Sequence, residues 1–250
     1  MNRWRRGFVT AVGLGVIGTG TAAGQDAPTN LQVLPSEMTR QEVTGVMRGF
    51  AMGLGVRCSY CHMGEEGQPL SEYDFASDEK ATKRTARFML RMAMDLNQET
   101  LPRLAEVSSR ADPPVTVRCV TCHRGLPVPR LINEVIAQTV ADEGAEAGVA
   151  KYRELREEYH GSGSYDFGEQ PLIETAGDLA RGEATDGALA LYALTLEYFP
   201  ESVQAWVGTA QVHIAREDTD AARAALQRAL ELQPENRQIQ RMLQQLDGGG

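Results

Sequence analysis

Two five-residue segments carry the chemistry of this chain: Cys58-Ser59-Tyr60-Cys61-His62 and Cys119-Val120-Thr121-Cys122-His123. Each reads Cys-x-x-Cys-His, the spacing at which c-type haem is attached. One helical turn sets the two thiols on the same side, where they reach the two vinyl groups of one porphyrin. The adjacent imidazole then points at the iron as proximal ligand. Two other readings compete. A redox disulfide in each pair leaves both histidines unexplained, and so does one zinc site built from Cys58, Cys61, Cys119 and Cys122. The histidine recurs in both copies, which favours two covalently bound haems with His62 and His123 on the irons.

A c-type haem normally takes a second axial ligand, methionine or histidine, so the elements before each motif matter. Thr39 and Glu42 form a capping box, and Val43, Met47, Phe50 and Leu54 follow at helical spacing. Met47 lies on that apolar stripe, eleven residues before Cys58, and Gly53 and Gly55 end the helix. Met52 sits about 140° around the helix and points elsewhere. Met47 is the candidate sixth ligand of the first haem, with core packing as the alternative.

Ser77 caps an expected second helix running from Asp78 to about Asn97. At about 100° per residue, Lys80, Lys83, Arg84, Arg87 and Arg91 fall on one side, and Ala81, Phe88, Met92 and Leu96 on another. Met94 lands with the basic stripe. Met92 is therefore the inward-facing candidate for the second haem, although it lies 27 residues before Cys119. The basic stripe either pairs with haem propionates or forms a solvated face.

Thr39 to His62, Lys80-Ala81-Thr82-Lys83-Arg84-Thr85-Ala86-Arg87, Arg91-Met92 and the second Cys-x-x-Cys-His together resemble the cytochrome subunit of photosynthetic reaction centres. That family repeats a methionine-bearing helix, a tight turn and the attachment motif. The resemblance covers roughly residues 30–130 and matches the C-terminal, two-haem half of a four-haem subunit. It implies Met47 as sixth ligand of the first haem. In the family's last haem both axial ligands are histidines, the distal one supplied by an N-terminal half with no counterpart here. Four histidines are present. With His62 and His123 proximal, the sixth position of the second haem is left to Met92, to His160 or open. His213 falls on a core position of the repeats described next.

Pairs of like residues recur 34 positions apart: Ala188 and Ala222, Leu196 and Leu230, Pro200 and Pro234, Glu201 and Glu235. That is the tetratricopeptide period. Trp206, Ala210, Ala222, Leu226 and Ala229 fill its signature positions, an earlier unit spans Glu169 to Pro200, and 236–246 reads as a capping helix. His160-Gly161-Ser162-Gly163-Ser164 reads as a flexible break after a helical segment 142–159.

The start of the chain has the order of an export signal: three arginines in Met1–Arg6, a weakly apolar stretch, then Ala22-Ala23-Gly24. An uncleaved anchor is the alternative, and Arg5-Arg6 hints only weakly at a twin-arginine signal. Cleavage after Gly24 leaves 22 basic and 34 acidic side chains, and residues 133–250 hold 9 of the former and 21 of the latter. Nucleic acid is excluded as a natural partner for so acidic a chain. No internal apolar run reaches the roughly 18–20 residues of a membrane span.

The expected architecture is mainly α, a multihaem c-type cytochrome domain with long loops followed by a tetratricopeptide-like module. The divisions are 1–24 signal, 25–135 dihaem domain, 136–168 helical linker and 169–247 repeats. The expected function is electron transfer between redox partner proteins in the bacterial periplasm, with a protein partner docked on the repeats and no span in the mature chain. Membrane association follows if the signal stays uncleaved. The alternatives are a peroxidase-like haem enzyme or gas sensor with an open second haem, and a repeat scaffold with auxiliary haems. No nucleophile, carboxylate pair or phosphate loop stands out, so an electron carrier is expected rather than an enzyme.

Overall fold

The computed structural model describes residues 27–107 and 115–248, and the expected signal at 1–24 lies outside them. The described residues are mainly helical, with an isolated antiparallel bridge between Met63 and Asp74 in place of any strand. No described helix is long and apolar enough to cross a membrane.

Helix α1 (Arg40–Leu54) begins at the expected capping box. The Glu42 N–H donates to Thr39 Oγ1 at 3.3 Å, and the Thr39 N–H donates to the Glu42 carboxylate at 2.8 Å. It ends at Gly55, whose φ of +66° is the left-handed cap that glycine adopts without strain. A long stretch with two short 3₁₀ turns, Cys58–Tyr60 and Leu70–Glu72, separates α1 from α2 (Ala81–Asp95).

Helix α2 starts three residues later than its sequence suggests. Lys83 Nζ donates to the carbonyls of Phe75 (2.8 Å), Ala76 (3.1 Å) and Ser77 (2.7 Å). The Ser77 carbonyl, which a helix from Asp78 would direct at Ala81 N–H, instead faces this ammonium. Ser77 Oγ accepts from Glu79 N–H without opening the helix. Past Asp95 the helix widens into a π turn, Leu96–Thr100, and continues through short turns into α3 (Leu104–Val107). The second Cys-x-x-Cys-His is itself a helical turn, α4 (Cys119–His123).

From Ile132 onward the chain is a stack of antiparallel helices. These are α5 (Ile132–Glu143), α6 (Ala145–Tyr159), α7 (Glu169–Arg181), α8 (Thr185–Tyr198), α9 (Val203–Ala215), α10 (Thr219–Leu232) and α11 (Arg237–Gly248). The helical segment expected at 142–159 is longer and broken. Gly144, at φ +95°, turns α5 into α6, and Gly148 lets them approach so closely that a Cβ there would meet Val140 Cγ2 at 2.3 Å. Ile132, Ile136 and Val140, four apart on α5, share one buried core with Tyr152, Leu172, Ala188, Leu191 and Tyr192. The α5–α6 hairpin thus packs on the repeats as another layer.

In the repeats, the small residues the period demands are where helices touch. Ala176, Ala188, Ala205, Ala210, Ala222 and Ala229 are fully buried. A Cβ on Gly208 would lie 2.3 Å from the Tyr192 ring. A second cluster, Ala210, Ala225, Leu226, Ala229 and Ile239, seats α11 on α9 and α10.

Candidate haem-attachment site

The two Cys-x-x-Cys-His motifs are held by the same two helices. Helix α2 spans between them. At its start, Thr82 Oγ1 donates to the Tyr60 carbonyl at 2.5 Å, and Lys80 Nζ donates to the Ser59 carbonyl. Just past its end, in the π turn, the Asn97 carboxamide pairs with the backbone of Val117, two residues before Cys119 (Nδ2 to O 2.8 Å, N to Oδ1 2.7 Å). Thr82 to Asn97 corresponds to about 22 Å at 1.5 Å per residue.

Helix α1 closes the same gap from the other side. The Gly125 N–H donates to the Gly53 carbonyl at 2.9 Å. A Cβ on Gly53 would sit 3.2 Å from Cys119 Cβ, and one on Gly55 would sit 2.1 Å from the Gly125 carbonyl oxygen. At Gly55 only glycine permits the backbones to meet, and at Gly53 a side chain would be tight. The helix that leads into the first motif therefore ends against the second.

Around the first motif, Cys58 is exposed and Cys61 half-buried. Burial pushes the Cys61 thiol up, against the hydrogen bond from Thr82 and the charges of Lys80 and Lys83. The His62 ring meets Phe75 edge-on at 4.9 Å, and its buried Nδ1 has no hydrogen-bond partner. Burial, with Lys83 nearby, holds this imidazole below its ordinary value, which favours the neutral ring a metal ligand needs.

Lys83 belongs to a network with Asp78. The carboxylate lies 3.2 Å from Lys83 Nζ and 2.7 Å from Arg87 Nη1, and it accepts from Asn30 Nδ2 at 3.0 Å. Hydrogen bonds from Asn30, Arg87 and Lys83 hold the Asp78 carboxyl well below the usual carboxylate range.

At the second motif, Cys119 is half-buried and Cys122 exposed. Burial raises the Cys119 thiol. His123 Nδ1 lies 2.8 Å from the Leu126 carbonyl, which can only accept. Nδ1 therefore carries a proton, which leaves Nε2 as the nitrogen for a metal.

Of the methionines, Met47 is half-buried on α1 with Val43, Phe50 and Leu54, and Met52 is 75% exposed. On α2 burial departs in part from the sides expected from spacing, since Lys83 of the basic stripe is buried while Arg84 and Arg91 of the same stripe are exposed. Lys83 is 8% exposed, while Phe88 and Met92 are 66% and 40% exposed. Sequence spacing shows which residues share a face, but only the carbonyls gathered by Lys83 decide which face packs on the chain's own loops. His160 is exposed beside Phe167, at a centroid separation of 5.9 Å. His213 Nδ1 lies 3.2 Å from Asp218 within the repeats.

The distribution of apolar side chains tests whether haem fits these residues. Among the described residues, no hydrophobic side chain before Leu126 is buried, and every strongly exposed large one except Ile214 lies between Met52 and Leu131. So many apolar side chains with no core of their own match a group that brings a large apolar surface with it. Two thiols and one imidazole at each motif are the matching donors, and the residues fit the group. The described residues contain no cluster of three or more His, Cys, Asp or Glu side chains able to hold a metal ion, so the four-thiolate zinc site is not assembled.

The repeats offer a second surface. Residues of α7, α9 and α11 line a groove of about 1040 Å³ in which Gln170, Gln204 and Gln211 present carboxamides. Gln170 Nε2 donates to Gln204 Oε1 at 2.8 Å, spanning one 34-residue period.

Comparison with known proteins agrees with both halves. Residues 15–167 match the photosynthetic reaction centre cytochrome C subunit family, and residues 179–246 match a tetratricopeptide repeat. Cytochrome c-554 of Chloroflexus aurantiacus is 35% identical over 98 residues, which cover 39% of this chain and 20% of that protein. The photosynthetic reaction center cytochrome c subunit of Rubrivivax gelatinosus is 32% identical over 90 residues, 34% of this chain and 23% of that protein. The chain thus spans less than a quarter of the length of either relative. No solved structure matches it.

Proposed function

The chain belongs to the photosynthetic reaction centre cytochrome c subunit family, and from that membership we propose that it is an exported dihaem electron carrier whose helical module docks a partner protein. When bound, each haem supplies one-electron chemistry, its iron alternating between ferric and ferrous. Cys58 and Cys61 anchor the first group and Cys119 and Cys122 the second. His62 and His123 would bind the two irons, with Met47 as the further donor to the first and Met92 the candidate for the second.

The observation that carries this reading is the helical stretch of α2 and the π turn that follows it, hydrogen-bonded at one end to the first motif through Thr82 and at the other, through Asn97, to Val117 just before the second. A rigid rod of about 22 Å keeps the two attachment points in one fixed relation. An electron relay needs that, and an independent pair of redox disulfides does not. Lys83, Arg87 and Asp78 brace the loop whose Phe75 ring covers His62. His123 is oriented by the Leu126 carbonyl. The exposed faces of Phe88 and Met92 supply apolar contact for the porphyrins. Residues 27–107 and 115–131 form the haem-binding unit in this reading, and 132–248 the docking unit, with α5 and α6 joining the repeats.

Export to the periplasm follows from the attachment chemistry, because haem is joined to these motifs on the far side of the membrane. The carboxamides of the repeat groove suit an extended peptide of the partner, whose backbone groups they can pair.

An optical spectrum of the reduced full chain, with haem counted per chain and recorded before and after carbon monoxide, tests the reading. Two haems that stay low-spin and ignore the gas support the relay. One haem that binds it moves the function to catalysis or sensing at an open second site. A spectrum without haem overturns the reading.

A further inference from the structure

The loop from α6 to α7, which looks from its sequence like a flexible break, is seated on the second attachment motif. Ser164 is 3% exposed, and its hydroxyl donates to the Arg124 carbonyl at 2.7 Å. Arg124 follows His123 directly and is held at φ +48°, a conformation uncommon for a residue with a side chain. Gly125 comes next, at φ +86°, and a Cβ there would lie 3.4 Å from Ser164 Oγ. Ser162 backs the contact. Its Oγ accepts from the Ser164 N–H at 3.1 Å and lies 2.9 Å from Ser164 Oγ.

The turn His123–Leu126 is thus fixed from three directions. Gly53 of α1 accepts from Gly125, the Leu126 N–H donates back to the His123 carbonyl at 2.9 Å, and Ser164 holds Arg124. The third hold comes from the helical module. Tyr165 packs edge-on against Tyr159 at 5.5 Å, and Phe167 is buried in the core shared by α5 to α9.

We propose that Ser164 is a positioning residue for His123, and that through it the helical module sets the potential of the second haem. This rests on the dihaem reading above. The Leu126 carbonyl orients the imidazole and, by accepting from Nδ1–H, places electron density on the ring. That raises its basicity as a ligand and favours ferric iron. The carbonyl stays aligned only while the Arg124–Leu126 turn keeps its shape, and Ser164 is the side chain that pins this turn to the module. A partner that shifts α6 against α7 moves Ser164, and the second haem responds while the first does not.

Ser164→Ala in the full chain tests this, with both potentials read by spectroelectrochemistry. The wave that vanishes in a Cys119→Ser/Cys122→Ser chain identifies the second haem. In Ser164→Ala its reduced-to-oxidised ratio at a fixed potential is expected to rise about threefold, a shift of about 28 mV at about 59 mV per tenfold for one electron. The first haem is expected to stay put, and Ser164→Thr, which keeps the hydroxyl, to restore the second. Ser162→Ala moves the second haem in the same direction by less and serves if the Ser164 variant does not fold. Two bound haems with unmoved potentials would overturn the proposal alone, as would an equal shift of both. A wild-type chain with fewer than two haems would overturn the dihaem reading and the proposal with it.

Discussion

The carboxamide of Asn97 pairs with both backbone groups of Val117, accepting from its N–H at 2.7 Å and donating to its carbonyl at 2.8 Å. Twenty residues apart in sequence, the two join the π turn after α2 to the approach to the second Cys-x-x-Cys-His. Removing the amide with Asn97→Ala is expected to cost about 1–3 kcal/mol, the sum of two ordinary hydrogen bonds. Asn97→Asp keeps the acceptor for Val117 N–H but sets a carboxylate oxygen against the Val117 carbonyl, so it should not rescue. Denaturant unfolding gives the magnitude, and mass spectrometry of the chain should show a form carrying one haem. An alanine variant as stable as wild type and fully loaded would remove α2 as the strut between the motifs.

Met47 is read as the thioether ligand of the first haem. Met47→His should leave that haem low-spin and lower its potential, because a thioether raises the potential relative to a second imidazole. Met47→Ala should open the iron to carbon monoxide. Identical potentials and gas responses in all three chains would return Met47 to plain core packing.

Asp78 gives a pH signature. Its carboxyl is held low by Asn30, Arg87 and Lys83, so its folded pKa lies below the unfolded value of about 3.9. The stabilisation is fully present above that unfolded value and is lost as pH falls through the folded one. Melting temperature should therefore fall more steeply below about pH 4 in wild type than in Asp78→Asn, and the two curves should run parallel above it. Parallel curves throughout would mean that the ion pairs with Lys83 and Arg87 contribute nothing.

Gly208 faces the Tyr192 ring, and a Cβ there would lie 2.3 Å from it. Gly208→Ala should destabilise the helical module by about 1–3 kcal/mol through overpacking, and the haem spectrum should stay as in wild type. Circular dichroism melting reads the first effect and absorbance the second. A melt unchanged from wild type would show that Tyr192 swings aside at no cost.

Motifs that depend on neighbours along the chain are legible in the amino-acid sequence by itself. The two Cys-x-x-Cys-His segments, the Thr39–Glu42 box, the Gly55 cap and the 34-residue period involve residues within a turn or one repeat of each other. Their chemistry and spacing suffice to identify them. The helix pattern of the repeats follows for the same reason, since small residues at fixed spacing are what permit close helix packing. Residues 132–143 show the limit. Ile132, Ile136 and Val140 repeat every four residues, a signal present in the sequence, but Pro127 and Pro129 just upstream draw attention to a loop.

The tertiary structure alone decided how distant segments hold the motifs. Spacing groups the cations of α2 on one face, but it took the carbonyls of Phe75, Ala76 and Ser77 converging on Lys83 Nζ to bury that one cation and delay the helix start. Gly53 against Cys119, Asn97 against Val117 and Ser164 against Arg124 join residues between 20 and 66 positions apart. A glycine, a carboxamide or a hydroxyl is compatible with many partners, so its type does not name the one it meets. That choice is made when the chain closes and each buried donor or acceptor must find its counterpart.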